Sequence, residues 1–419
     1  MRRSARVSSE SCAAIELSEP ESRDGALGAG RRPAGTLGAW PQARARSNTK
    51  KRGTRVHSHR TGDPASKLRY EKAVPATAAM AGARSALARK LRDALEQRGY
   101  LEVETPIAVP FAGQEPHLRP FETTFTPDPP VPRGGVVGER RLHLHTSPEY
   151  AMKRLLAREG FSRCYQFARV FRDGEISRAH NPEFTLLELY AAPGSADSIM
   201  ADLEQVLFAC APEAPPRKGH GHRGGPLSLR PPFERITCRD AFAKYAGFDP
   251  LPLDAEAFAQ AARACGVRPA AKASWDDVFT QVLLEKIEPA LGIDRPTFLV
   301  EYPASQAALA RLKASDPRVA ERFELYAAGL ELANGFSELC DSGEQRRRLI
   351  DEQEQRRRLG REVFPLDEKF LSALDRIGEA GGVAVGFDRL LMLLTGAETI
   401  ADVLLFPAAE EYAAAREIS

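Results

Sequence analysis

No stretch of the 419-residue sequence reaches eighteen consecutive apolar residues, so no membrane-spanning helix is expected. The six cysteines (Cys12, Cys164, Cys210, Cys238, Cys265 and Cys340) are scattered. None forms a CxxC pair, which removes zinc-knuckle and thioredoxin-type sites and fits a reducing cytoplasm. A net charge of +2 gives no whole-chain argument for nucleic-acid binding. Neither GxGxxG nor GxxxxGK[ST] occurs, which disfavours Rossmann and P-loop nucleotide sites. No internal repeat is evident. What is present is length for two domains, or for one large domain with extensions, and 43% hydrophobic residues to fill a core.

Residues 1–79 differ from the rest. They are rich in Arg, Ser, Ala and Gly and hold few large apolar side chains. Such a composition cannot offset the entropy of ordering, so a disordered basic tail is favoured over a transit peptide or a nucleic-acid arm, and an upstream start, with Met80 a plausible true one, is one origin for it. No hydrophobic h-region follows the opening Met-Arg-Arg, so the tail is not a secretory signal.

Residues 80–419 read as one folded domain. Leu87, Leu91, Ala94 and Leu95 recur at helical spacing within Ala83–Tyr100, and Gly99 ends that helix. LEVETP reads as a short strand stopped by Pro106, and 127–135 as a turn-rich loop. CYQFARVFR and FTLLELYAA are strands flanking the polar loop EISRAHNPE, an antiparallel hairpin. A helix is expected over Ala196–Ala209, a flexible Pro/Gly-rich insertion over 212–232, and helices from there through Glu285. The His220–His222 pair in the insertion supplies too few ligands for a metal. PTFLVEYP is a strand, FELYAAGLELANGFSEL two short strands around a turn, and Gly343–Leu359 a charged helix. GGVAVGFDRLLMLLTG closes the core as strand, turn and apolar helix. Hairpins mixed with helices, without regular βαβ units, define an α+β fold with helices packed on an antiparallel sheet.

Three segments place polar side chains inside apolar runs, where a charge is costly unless paired or bound to something. In FRDGEISRAHNPEFTLLELY, Arg172 ends a strand and could clamp a phosphate; Glu188 and Tyr190 share one face of the return strand. In the second, Glu324, Glu331 and Glu338 are acids in an apolar setting, suited to Mg²⁺ or to a substrate ammonium. In the third, Gly386 permits close backbone approach and Arg389 offers a second phosphate clamp. Each alone has a plain structural explanation: a hairpin ion pair, a solvated edge, or a helix-start acid at Asp388. Together they supply cations and carboxylates for a triphosphate and Mg²⁺.

These segments resemble the signature motifs of class II aminoacyl-tRNA synthetases, in the lysyl branch. LEVETP resembles motif 1, FRDGEISRAHNPEFTLLELY motif 2 and GVAVGFDRLLML motif 3, while ELANGFSEL resembles the lysine-pocket segment. The resemblance implies the class II catalytic core and a homodimer through motif 1 around Pro106. Residues 1–79 have neither the strands nor the length of the OB-fold that reads the anticodon in full-length lysyl enzymes. The chain is therefore similar to the truncated paralogues that ligate lysine to elongation factor P, and Ala384, where full-length enzymes carry glycine, fits a pocket for (R)-β-lysine. ATP and Mg²⁺ are implied as co-substrate and cofactor.

The resemblance also implies roles for matching positions. Arg172 would hold the α-phosphate and Arg389 the γ-phosphate, with His180, Asn181, Phe184, Leu332 and Gly386 completing the ATP site. Glu324 and Glu331 would bind Mg²⁺. Ser147 and Glu149 would meet the substrate amino acid, and Glu338 and Tyr190 its side-chain ammonium, with Asn334, Glu188 and Ala384 shaping the pocket. Lysine or (R)-β-lysine would be activated as an adenylate and passed to a lysine of elongation factor P. A tRNA acceptor is the nearest rival, kept by basic residues such as Lys50, Lys51 and Arg52; a non-catalytic amino-acid-binding regulator ranks lower. One departure stands out: full-length enzymes read FRNEGIS where this chain reads FRDGEIS, so Glu175 would replace the usual acid at the ATP site.

Overall fold

The computed structural model describes residues 77–128, 140–216 and 225–415. The expected tail, most of the 127–135 loop and the His220–His222 pair lie outside these residues or nearly so.

The sheet order follows from where the chain is apolar on both faces. Eight strands form the path β1 (Leu101–Glu102), β2 (Arg163–Phe171), β3 (Glu183–Ala191), β4 (Glu234–Thr237), β5 (Thr297–Pro303), β6 (Asp316–Ala327), β7 (Leu330–Ser337) and β8 (Gly381–Gly386). Their spatial order is β1-β2-β3-β8-β7-β6-β5-β4, with Leu312–Lys313 added beside β6. The central pairs, from β2 to β5, are antiparallel. The two outer pairs are parallel: β1 with β2, and β4 with β5. The sheet is thus mixed but mostly antiparallel, because both ends of the path return over helical connections rather than tight turns.

β3 is buried along almost its whole length, since helices cover one face and the other walls a cavity. Helix α1 (Ala78–Glu96) turns Leu87, Leu91, Ala94 and Leu95 into the core that α3 (Ala196–Cys210) also fills. It begins five residues before the expected Ala83 and ends at Glu96, short of Gly99, with the Thr77 hydroxyl accepting from the Met80 amide at 3.4 Å. The other helices on which the site depends are α2 (Glu149–Leu156), α4 (Ser342–Arg358) and α5 (Phe387–Thr395).

Three expectations change. LEVETP keeps only two residues of strand; beyond them Val103 still bonds Tyr165 and Thr105 reaches Gln166 through side chains. The two short strands of FELYAAGLELANGFSEL are long, twelve and eight residues, joined at Ala328 and Gly329, both with positive φ as a tight hairpin turn requires. The ends of the 212–232 insertion pair as Glu213–Ala214 with Leu227–Ser228, and Ala214, Leu227 and Leu229 are buried in the main core. Short helices after β4 pack Phe242, Phe258, Phe279 and Trp275 into a second core against β5.

Candidate active site

A cavity of about 290 Å³ opens over the face of β3, β8 and β7. Fifteen of the sequence-derived positions line it: Ser147, Glu149, Arg172, His180, Asn181, Phe184, Glu188, Tyr190, Glu331, Leu332, Asn334, Glu338, Ala384, Gly386 and Arg389. Sheet register brings them together from four separate segments. Ala384 faces Glu188 on one side and Asn334 on the other, and Gly382 lies between Tyr190 and Phe336. A Cβ on Gly382 would collide with Glu338 Oε1 and the Tyr190 ring, so a bare backbone is what leaves the pocket its depth.

One end is cationic. The Arg172 guanidinium lies 5.1 Å from the centre of the Phe184 ring. Arg389 donates to the Glu331 carbonyl at 2.9 Å and its carboxylate at 3.0 Å. It also donates to His180 Nε2 at 2.7 Å. Arginine can only donate, so Nε2 accepts and Nδ1 carries the proton towards Ser177 Oγ, also 2.7 Å away. Burial, with Arg389 close by, lowers the His180 pKa to about 4, which keeps the ring neutral.

The other end is acidic and dry. Glu188, fully buried, accepts from Ser147 Oγ at 2.7 Å and from Tyr190 at 2.8 Å. Burial, then the neighbouring Glu149, raises its pKa to about 7 against these hydrogen bonds. Glu338, 2% exposed, has Oε2 at 2.5 Å from Lys153 Nζ, while Oε1 has no partner. Lys153 also bonds Glu149 at 2.6 Å. Burial raises the Glu338 pKa although Lys153 opposes it; Lys153 stays charged because its two acids outweigh its own burial.

Two expected residues do not reach the cavity wall. Glu175 turns to Arg172, 3.9 Å away, rather than into the cavity. Glu324 is buried beside it on β6, holding Arg322 at 2.6 Å and the hydroxyls of Tyr302 and Tyr326 at 2.5 and 2.6 Å. Asn181 lines the wall but its amide is engaged: Nδ2 donates to the Glu183 carbonyl and Oδ1 accepts from the Ala408 amide. Asp388 is not a surface helix-start acid. It is 1% exposed, accepts from the Thr185 amide at 2.7 Å and pairs with Arg84, which ties α1 to β3 beneath Arg389.

The sequence reading missed Lys153, Glu115, Glu352 and Ser177. Only Lys153 carried a local signal, since Glu149 precedes it by four residues on a helix. Glu115 and Glu352 reach the wall from a loop and from α4, with no pattern to announce them.

A mostly antiparallel sheet carrying one arginine at a hairpin limb, one at the start of an apolar helix and acids between them defines the class II synthetase core. The family of class II tRNA synthetases (D, K and N) matches residues 68–410, and the chain belongs to it. Among relatives, the elongation factor P–(R)-β-lysine ligase of Proteus mirabilis (strain HI4320) is 39% identical over 323 residues, covering 76% of this chain and 91% of that protein. The enzyme of the same name from Salmonella paratyphi B (strain ATCC BAA-1250 / SPB7) is 39% identical over 329 residues, 77% of this chain and 93% of its own.

Proposed function

We propose that this protein activates lysine or (R)-β-lysine with ATP and transfers it to a lysine side chain of elongation factor P. The observation that carries this reading is the two-ended cavity: paired arginines at one end, and buried acids short of cations at the other. The amino-acid carboxylate attacks the α-phosphorus, pyrophosphate leaves, and an aminoacyl-adenylate forms. An acceptor amine then attacks the activated carbonyl and AMP leaves. Arg172 and Arg389 hold phosphate charge, Phe184 offers a flat face to the base, and Glu338 with Tyr190 takes the side-chain ammonium. Ser147, Glu149, Glu188, Asn334 and Ala384 shape the amino-acid end, while His180, Leu332 and Gly386 border the nucleotide. Asn181 supports the limb that carries them.

Mg²⁺ fits at Glu331, the carboxylate on the wall beside Arg389, since this ion takes one or two carboxylates with phosphates and water. Glu324 fits less well, because Arg322 and two tyrosine hydroxyls already occupy it. Mg²⁺ would neutralise developing phosphate charge. Among the described residues no helix is long and apolar enough to cross a membrane. We place the reaction in the cytoplasm, in a homodimer formed around Pro106, where exposed Leu101 and Ile107 await cover.

Arg172→Ala is expected to abolish lysine-dependent ATP–pyrophosphate exchange, and exchange at the wild-type rate in that variant rejects the assignment. Incubation with ATP, either lysine isomer and either elongation factor P or tRNA separates the acceptors: a mass increase on the factor supports this reading, and acid-labile charging of tRNA replaces it.

A further inference from the structure

Glu115 has no part in the scheme above, yet it stands where two cavities meet. The second cavity, about 210 Å³, has Val109, Pro110, Phe111, Ala112 and Pro148 in its wall. Glu115, Ser147, Glu149 and Tyr150 border both. The second space is therefore walled largely by apolar side chains, with Arg154, Asp367 and Lys369 also on its lining, and is acidic where it joins the first.

The backbone of Glu115 is fixed while its carboxylate is left short of partners. The Leu118 amide and the Arg356 guanidinium both donate to its carbonyl, at 3.2 and 2.8 Å. Its carboxylate folds over Gly113 into space that a Cβ would fill. Oε2 is buried without a hydrogen-bond partner. Glu149 and Glu188 differ, since each already has a lysine, serine or tyrosine partner, and Glu338, although its Oε1 is also unpaired, already holds Lys153. The charged and titratable groups facing Glu115 are Glu149 and Tyr150 from α2, Glu352 and Arg356 from α4, and Arg172 at the end of β2. Burial raises its pKa, and Glu149 adds to this against Arg172 and Arg356. It shares the wall of the first cavity with Arg172 at the phosphate end and with Ser147 and Glu149 at the amino-acid end, between which the adenylate carbonyl would lie.

We infer that the second cavity admits the side chain of the acceptor lysine, and that Glu115 receives its ammonium and takes its proton for attack on the adenylate. The apolar wall suits the four methylenes, and the acidic junction suits the charged head. This rests on the acceptor reading proposed above. Glu115 takes one proton from the ammonium and frees the nitrogen lone pair. That nitrogen bonds to the carbonyl carbon, the carbon–oxygen bond to phosphate breaks, and AMP leaves with the electron pair. The second nitrogen proton passes to the departing phosphate or to water as the amide forms.

The test uses the whole protein with Glu115→Gln. Lysine-dependent pyrophosphate exchange is expected to stay within about twofold, while single-turnover transfer to elongation factor P falls about 100-fold, the usual weight of a proton acceptor. Hydroxylamine, an uncharged amine at neutral pH, is expected to capture the adenylate as well as in the wild type. Lost exchange with an unchanged melting temperature overturns the inference, because Glu115 would then hold the donor's ammonium. Unchanged transfer also overturns it and leaves the second cavity to the subunit contact around Pro106. A measurement on the wild type needs no variant: transfer is expected to level off well below the lysine pKa of about 10.4, whereas a rise that follows the free amine up to that value overturns the inference. If the wild type activates lysine but modifies no elongation factor P, the acceptor reading itself fails, and no variant is needed to see it.

Discussion

At the scale of single residues, the exchange of glutamate and glycine in FRDGEIS is a change of partner. Gly174 has φ +83°, a left-handed turn that costs a side-chain-bearing residue roughly 1–2 kcal/mol. A Cβ there would also stand 3.1 Å from the Arg119 guanidinium, which pairs with Asp173 across the same turn. The turn sends Glu175 back towards Arg172 instead of into the cavity. We therefore expect Glu175 to steady Arg172 rather than to touch ATP. A half-buried pair at 3.9 Å is worth at most about 1 kcal/mol, so Glu175→Ala should raise the KM for ATP by about two- to fivefold and leave the exchange kcat near the wild-type value. Titrating ATP in the exchange assay checks this; an unchanged KM would leave Glu175 without a part in nucleotide binding.

Elements show what was legible in the sequence and what was not. The β2–β3 hairpin and the β8–α5 turn were readable because alternation and glycine position are local properties, and they carry both arginines and Glu188. Glu338 was legible as an acid in an apolar run, but its companion Lys153 was not. That lysine reaches it from α2, far away in sequence, and a basic residue on a short helix normally reads as solvent-facing. Glu324 shows the converse: a carboxylate can sit in the right run and still be taken up by local donors such as Tyr302, which only the register of β5 against β6 brings near. The buried Glu149–Lys153–Glu338 set couples α2 to β7 and its exit. Lys153→Met removes the shared cation, and breaking such a pair costs about 3–5 kcal/mol. Burial already holds Glu338 above the ordinary carboxylate range, and losing Lys153 pushes it higher. The folded state then binds more protons than the unfolded one, so stability falls as pH rises from the unfolded carboxylate pKa through the folded one. Urea unfolding should show a larger deficit at pH 8 than at pH 5; an equal deficit at both would mean that the acids are not what Lys153 compensates.

On the scale of the whole molecule, the net charge of +2 conceals a strongly polarised interior. Two arginines face the nucleotide end, and Glu188 and Glu338 crowd the amino-acid end. That separation matches a ligand whose anion and cation lie at opposite ends, and it is arranged before any ligand binds, which removes reorganisation from the reaction step. It also implies a proton linkage. With its pKa near 7, Glu188 is partly protonated at neutral pH in the ligand-free protein, and Glu338 is raised in the same direction. An arriving ammonium favours the charged carboxylates and lowers both pKa values. Lysine binding must then release protons, and its affinity must fall as the medium is acidified below pH 7. We expect binding at pH 6 to be about tenfold weaker than at pH 8. Calorimetry at pH 7 in two buffers of different ionisation enthalpy measures the proton count directly. A positive release confirms that the substrate ammonium meets the raised acids. Identical heats in both buffers, with an affinity indifferent to pH, would place the ammonium elsewhere and leave Glu188 and Glu338 as structural acids.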